Sequence, residues 1–276
     1  MAAMFTAMGD SDHAHEALVH LSAERARALW ATLSDPGVLD ARPTPLNTAA
    51  ARSGVATMGL LERLAVTAEL RDDATGKHCF RVGRMSMLLA RRLGLPLADV
   101  ESMDLAARLH DIGKFAIPDA ILLKPARLDA AEMRLMRTHT TIGANLLAEG
   151  RYTDLQMAEG IARHHHEFWD GSGYPFGLAG EAIPVNARIT ALADVYDALT
   201  HARPYKAAWP HAEAIAYIRN MRGVQFDPHL TDLFIEMMAE AERDLASFLE
   251  SLEEGAVASP FIVAESRMAK VLVAEI

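Results

Sequence analysis

The chain has 276 residues, 51% of them hydrophobic and 6% aromatic, with a net charge of −10. An acidic balance excludes a general binder of nucleic acid or anionic membranes, which needs a broad cationic surface, but leaves room for a small anion held by a few converging Lys and Arg. The single cysteine, Cys79, excludes an internal disulfide, and no apolar run reaches the ~18 residues of a membrane span, so a soluble, cytoplasmic protein is expected.

In chain order, residues 12–33 place Leu18, Leu21, Leu29 and Leu33 on one helical face, interrupted by Arg25. The stretch "SDPGVLDARPTPLNTAAARSG" carries three prolines and two glycines and reads as a linker. Helix signals then follow closely. "LLERLAVTAEL" is periodic, and Thr75 is placed to cap a helix running to Leu93 and ended by Gly94. Pro96 opens the next, which reaches "LHDIGK". Asp129 and Glu132 have capping-box spacing before a helix expected to carry His139 and end near Gly150. Thr153 precedes a helix ending in "RHHHEFWDGSGYP". Pro184 opens the helix of Asp194, Pro210 another, and Pro228 a last long helix to about Glu254. There is no strand series, so the fold expected is all-α. The methionines Met85, Met133, Met136, Met237 and Met238 read as core, and "ESLEEG" as a solvated helix end.

The histidines carry the chemistry. His78, His110-Asp111, His139, His165-His166 and Asp194 fall on five successive helical segments, 32, 28, 26 and 28 residues apart. Each spacing fits one helix plus a connection, so all can face one site in a bundle. Imidazole with carboxylate and no thiolate suits iron or manganese and tolerates zinc, nickel or cobalt. The residue types alone leave open both a metal site and ordinary polar histidines.

The ordered series "HDIGK", "ILLKP", "HTTIGANLL", "HHHEFWDGSGYPFGLAGEAIPVNARITALADVYDALTHARPY" and "GVQFDP" resembles the HD-GYP family of cyclic di-GMP phosphodiesterases, a subgroup of the HD superfamily of metal-dependent phosphohydrolases. The resemblance runs from Leu61 to Leu230. It implies an HD-domain helical bundle with a metal site in its core. The layout expected is an N-terminal helical segment (1–33), a linker (34–56), the catalytic domain (57–254) and a tail without assigned role (255–276). His13, His15 and His20 lie before the linker and outside this pattern, and no receiver-sized domain fits before Leu61. Regulation is therefore expected from a partner, from self-association or from the short N-terminal segment.

By the same resemblance the metal ligands are His78, His110, Asp111, His139, His165, His166 and Asp194, with His164 an extra histidine. Asp111 is the bridging carboxylate, and Lys114 donates to the phosphate or the leaving group. Arg203 and Lys206 bind substrate phosphates, Tyr174 lies beside a guanine, and Asp197 is placed in the substrate site, orienting a ligand or Lys114. Ala74 stands where many members carry a glutamate that holds a third metal, so a two-metal site of iron or manganese is implied. The reaction implied is hydrolysis of cyclic di-GMP to pGpG by a hydroxide that two metals activate, with onward cleavage to GMP left open. Two other readings stay open: a catalytically weak sensor or docking module, and a phosphodiesterase for another cyclic dinucleotide. The Gly173-Tyr174-Pro175 loop is the implied docking surface for diguanylate-cyclase (GGDEF) proteins, and a homodimer is compatible.

Overall fold

Proline and glycine punctuation sets the helix order. In a computed structural model, the residues described are 76–148, 153–201 and 207–258, together with Arg63, Val66, Thr67 and Glu69. All of them belong to one unit, Thr57–Ile262. The expected N-terminal helix and linker, Ala74, Arg203, Lys206 and the chain beyond 258 lie outside the described residues.

Helix α1 (His78–Leu93) stops at Gly94, whose positive φ of 83° turns its N–H back onto Ala90 and Arg91 carbonyls. Pro96 precedes α2 (Leu97–Arg108), and a short 3-10 turn follows at Ile112–Ala116. Then come α3 (Asp119–Leu122), α4 (Ala130–Arg137), α5 (His139–Leu147) and α6 (Thr153–His164). Pro184 precedes α7 (Val185–Thr200), Pro210 precedes α8 (His211–Asn220), and Pro228 is the first residue of α9 (Pro228–Ala241). A 3-10 turn at Glu242–Asp244 leads into α10 (Leu245–Ala258). Among the described residues there is no strand, only the isolated bridges Asp170–Ala179 and Arg222–Phe226. The all-α expectation holds.

The centre of the bundle is α1, which packs against α2, α7, α9 and α10, while α6 packs against α2, α5 and α7. The core between them is built from Val82, Met85, Leu89, Met103, Ile161, Ile189, Leu192, Tyr196, Phe234 and Met238, each 1% exposed or less. Burying each larger side chain contributes roughly 1.5–3 kcal/mol. Interleaved alanines (Ala106, Ala107, Ala158, Ala162, Ala193) let the helices approach closely.

Local signals set the starts of helices better than their continuity. The Asp129/Glu132 capping box forms with both reciprocal hydrogen bonds. The single helix expected after it is instead two, broken at Thr138, which places His139 in the first turn of α5. The last long helix is likewise two, because the chain bends at Glu242–Asp244 to lay α10 against α1. Helix α4 buries none of its residues, so Met133 is 38% exposed rather than core, unlike Met85, Met237 and Met238. Glu253, in the run read as solvated, is paired with Lys77 and Arg81.

Candidate metal centre

The fold delivers the seven histidine and aspartate positions from five places. His78 opens α1, His110 and Asp111 occupy the turn after α2, and His139 opens α5. His165 and His166 follow the end of α6, and Asp194 sits in α7. They converge as two groups, His78–His110–Asp194 and Asp111–His139–His165–His166, with candidate ligand atoms inside each group all within 4.8 Å of one another. Asp111 joins the groups. Its Oδ2 lies 3.2 Å from His110 Nε2, while its Oδ1 lies 3.3 Å from His139 Nε2 and 3.7 Å from His165 Nε2. On the other side, Asp194 Oδ1 is 3.5 Å from His78 Nε2 and 3.8 Å from His110 Nε2.

The imidazoles are oriented from behind. Nδ1 of His110 donates to the Ala107 carbonyl (2.8 Å), that of His139 to Met136 (2.7 Å), and that of His165 to Ile161 (3.0 Å). Nδ1 of His78 lies 2.7 Å from Asp197 Oδ2. A carbonyl or carboxylate can only accept, so each Nδ1 carries a proton and each Nε2 is the nitrogen turned inward, a lone-pair donor whenever the ring is neutral. Those Nε2 atoms and Asp111 Oδ1 are buried and have no hydrogen-bond partner among the described residues. At about 1–3 kcal/mol apiece, such orphans would rival the whole net stability of a domain, about 5–15 kcal/mol. Nitrogen and carboxylate donors in this array fit divalent cations of the iron, manganese or zinc kind. Cys79 stays out of the set: its N–H donates to Glu69 and its thiol points to the Gly76 carbonyl.

The two groups differ electrostatically. Burial alone would lower the pKa of His78, but the Glu69 charge, the Asp197 hydrogen bond and charge, and Asp194 outweigh it and raise it to about 9. His110 is raised in the same way: burial opposes, Asp111 and Asp194 prevail. Across the site burial wins. It lowers His139 to about 4 and, with His165 and His139 as neighbours, pushes His166 well below the usual imidazole range. Burial would raise Asp111, yet Lys114 and His110 hold it well below the usual carboxylate range.

A cleft of about 280 Å³ opens over this array, lined by Asp111, Lys114, His166, Asp194, Tyr217 and Gln225 among others. Lys114 Nζ rests 2.7 Å from Asp111 Oδ2. The loop after His166 packs against that residue. The Tyr174 ring stacks on His166 at 4.8 Å, and the Arg137 guanidinium lies 4.8 Å from the centre of the same ring. The loop is held by Glu167, 3% exposed, whose carboxylate accepts from the N–H groups of Phe176 (2.8 Å) and Leu178 (3.0 Å). Gly173 permits this fold-back, because a Cβ there would stand 2.2 Å from Phe168 N. Gly113 does the same beneath the centre: a Cβ would stand 1.9 Å from the His139 carbonyl oxygen. His164 stays outside both groups, against Phe176 and 3.9 Å from Glu167.

A family model for the HD domain matches residues 62–230. The chain belongs to the HD domain family. The HD-GYP reading of its motifs also stands, since relatives with strong identity are cyclic-dinucleotide phosphodiesterases by name. The cyclic di-GMP phosphodiesterase response regulator RpfG of Xanthomonas campestris pv. campestris (strain 8004) is 46% identical over 188 residues, 68% of this chain and 50% of that protein. The 3'3'-cGAMP-specific phosphodiesterase 2 of Vibrio cholerae serotype O1 is 42% identical over 177 residues, 64% of this chain and 34% of that protein. The chain thus spans half or less of the length of these curated relatives. A crystal structure of a cyclic GMP-AMP specific phosphodiesterase of V. cholerae agrees in fold, with a TM-score of 0.50 at 22% identity over 71% of this chain and 53% of that one.

Within the HD domain, one expected placement changes. Asp197 does not line the cleft. It is 2% exposed and lies behind His78, accepting from Arg81 Nε (2.6 Å) and Nη2 (2.9 Å) as well as meeting His78 and His201. It therefore faces the His78 imidazole and Arg81 rather than the cleft. Arg81 and Glu167 escaped the sequence reading. An arginine one helical turn after His78 was the available signal for the first, and a glutamate directly after paired histidines for the second.

Proposed function

We propose that this chain is a metal-dependent phosphodiesterase that opens a cyclic dinucleotide, with cyclic di-GMP as substrate and linear pGpG as first product. The observation that carries the reading is Asp111: one partly buried carboxylate whose Oδ1 faces the Nε2 atoms of His139 and His165 and whose Oδ2 faces that of His110, three inward imidazole nitrogens without a hydrogen-bond partner among the described residues. His78, His110 and Asp194 would hold one divalent cation and His139, His165 and His166 another, with Asp111 shared; iron or manganese is the expected pair, within a catalytic domain spanning 57–254. Bound there, such cations supply an activated water near neutral pH and charge neutralisation at the phosphate.

The chain's own residues do the rest. Lys114, at the cleft edge on Asp111, is placed to donate to a phosphate oxygen or the departing oxygen. Tyr174, its ring engaged by His166 and Arg137, would lie beside a base through its edge, Asp197 keeps His78 in its tautomer, and Arg203 and Lys206 supply phosphate contacts in an otherwise acidic protein. Onward hydrolysis to GMP, a signalling role in the cytoplasm, docking of GGDEF-type proteins on the Gly173-Tyr174-Pro175 loop and homodimerisation belong to the same proposal. Consistent with a cytoplasmic role, no helix among the described residues is long and apolar enough to cross a membrane. The relative named for 3'3'-cGAMP makes that dinucleotide the competing substrate.

The test is hydrolysis of cyclic di-GMP and 3'3'-cGAMP by protein purified anaerobically with Fe(II) or Mn(II), with metal content measured on the same sample. Turnover lost in Asp111→Ala supports the proposal. In Lys114→Met, kcat should fall by about 10²–10³ with the metals retained. Metal bound without turnover of any cyclic dinucleotide would replace the enzyme by a sensor or docking module.

A further inference from the structure

Beyond the 62–230 stretch that the HD domain model matches, α10 reaches back into the site through one residue. Glu253 accepts from Arg81 Nη1 (3.1 Å) and from Lys77 Nζ (2.6 Å). Arg81 is 4% exposed and donates through Nε and Nη2 to the two oxygens of Asp197, which in turn lies 2.7 Å from His78 Nδ1. The result is an unbroken line of charge-assisted hydrogen bonds from residue 253 to a candidate metal ligand.

We propose that Glu253 is a positioning residue for the His78–His110–Asp194 subsite, acting through Arg81 and Asp197. This rests on the reading that the subsite holds a metal. Two carboxylates share one guanidinium, and the sharing sets how much of the Asp197 charge remains for the His78 N–H. Without Glu253, more of the Arg81 charge falls on Asp197, which weakens that carboxylate's hold on His78 and lowers the donor strength of His78 Nε2. Glu253 also pins Lys77, the residue before His78, at a helix start that has no side-chain N-cap. The bundle thereby makes metal affinity at one subsite depend on the seating of α10.

The experiment compares wild-type protein, Glu253→Gln and the exposed same-helix control Glu250→Gln by chelator-competition titration with Mn(II), alongside thermal unfolding. The two binding steps are assigned by their loss in Asp194→Asn and in His139→Ala. Glu253→Gln should weaken the Asp194-dependent step by roughly 3- to 10-fold, less than the 10–100-fold typical of a direct partner. The His139-dependent step and the control should not move. Two unchanged steps in Glu253→Gln would overturn the inference, as would equal weakening of both steps with a lowered Tm, which marks mere structural support. Wild-type protein that binds no metal overturns this inference and the proposed function together. Protein that binds two metals but turns over no dinucleotide overturns only the function.

Discussion

The two ligand groups share a carboxylate and sit a few ångströms apart, yet they are built oppositely. The His78–His110–Asp194 group has one carboxylate of its own and is surrounded by those of Asp197, Glu69 and Asp111, so burial is outweighed and its histidines favour a positive charge. The Asp111–His139–His165–His166 group stacks three imidazoles around one carboxylate, and burial keeps His139 and His166 neutral. The first subsite concentrates negative charge, and the second concentrates neutral lone pairs. A pair of metals in such a centre meets two different fields.

The largest test removes what the groups share. Asp111→Ala should abolish turnover and bring metal content from about two per chain toward zero, as measured by elemental analysis; retention of both metals would break the idea of one bridging carboxylate. Next, Asp194→Asn and His139→Ala should each leave about one metal, and loss of both metals in either would merge the two groups into one. Smaller again, Asp197→Asn should weaken only the His78-side metal, by about 10–100-fold in a chelator titration.

The smallest effect is in metal-free protein. His78, raised from 6.5 to about 9, adds stability that is complete below pH 6.5 and is lost as pH rises through about 9. His139, lowered from 6.5 to about 4, works the other way: the unfolded chain binds the proton first, so stability falls as pH drops from 6.5 toward 4. Chemical denaturation across pH should therefore show two limbs, the alkaline one shrunken in His78→Ala, where the raised His110 keeps the rest, and the acid one shrunken in His139→Ala, where the lowered His166 keeps the rest. Matching limbs in both variants would erase the distinction between the groups.

Much of this was readable before any coordinates. Prolines at 96, 184, 210 and 228 and the Asp129/Glu132 pair are local devices, so they marked helix starts correctly. The seven positions that converge were named through the HD-GYP resemblance; their spacing, one helix plus a connection, only allowed them to meet. The breaks at Thr138 and Glu242–Asp244 were not, since neither contains Gly or Pro; α5 and α10 turn there to follow tertiary packing. Asp197 was misplaced for a related reason. One turn beyond Asp194, it looks in sequence like a neighbour of the cleft, and only the position of Arg81 on α1 shows that it faces away. Glu253 carried no local sign at all, because its partners lie 172 and 176 positions upstream.

The contact at Gly113 has a consequence for how such a centre can drift. The turn carrying Asp111 and the start of α5 carrying His139 touch main chain to main chain, with no side chain between them to trim or extend. The main-chain separation beneath those two candidate ligands is thus fixed by peptide geometry. Selection for a larger or smaller ion has no purchase there, and must work through the α1 and α7 side, where Asp194, Asp197 and Arg81 can each be exchanged while the main chain stays in place.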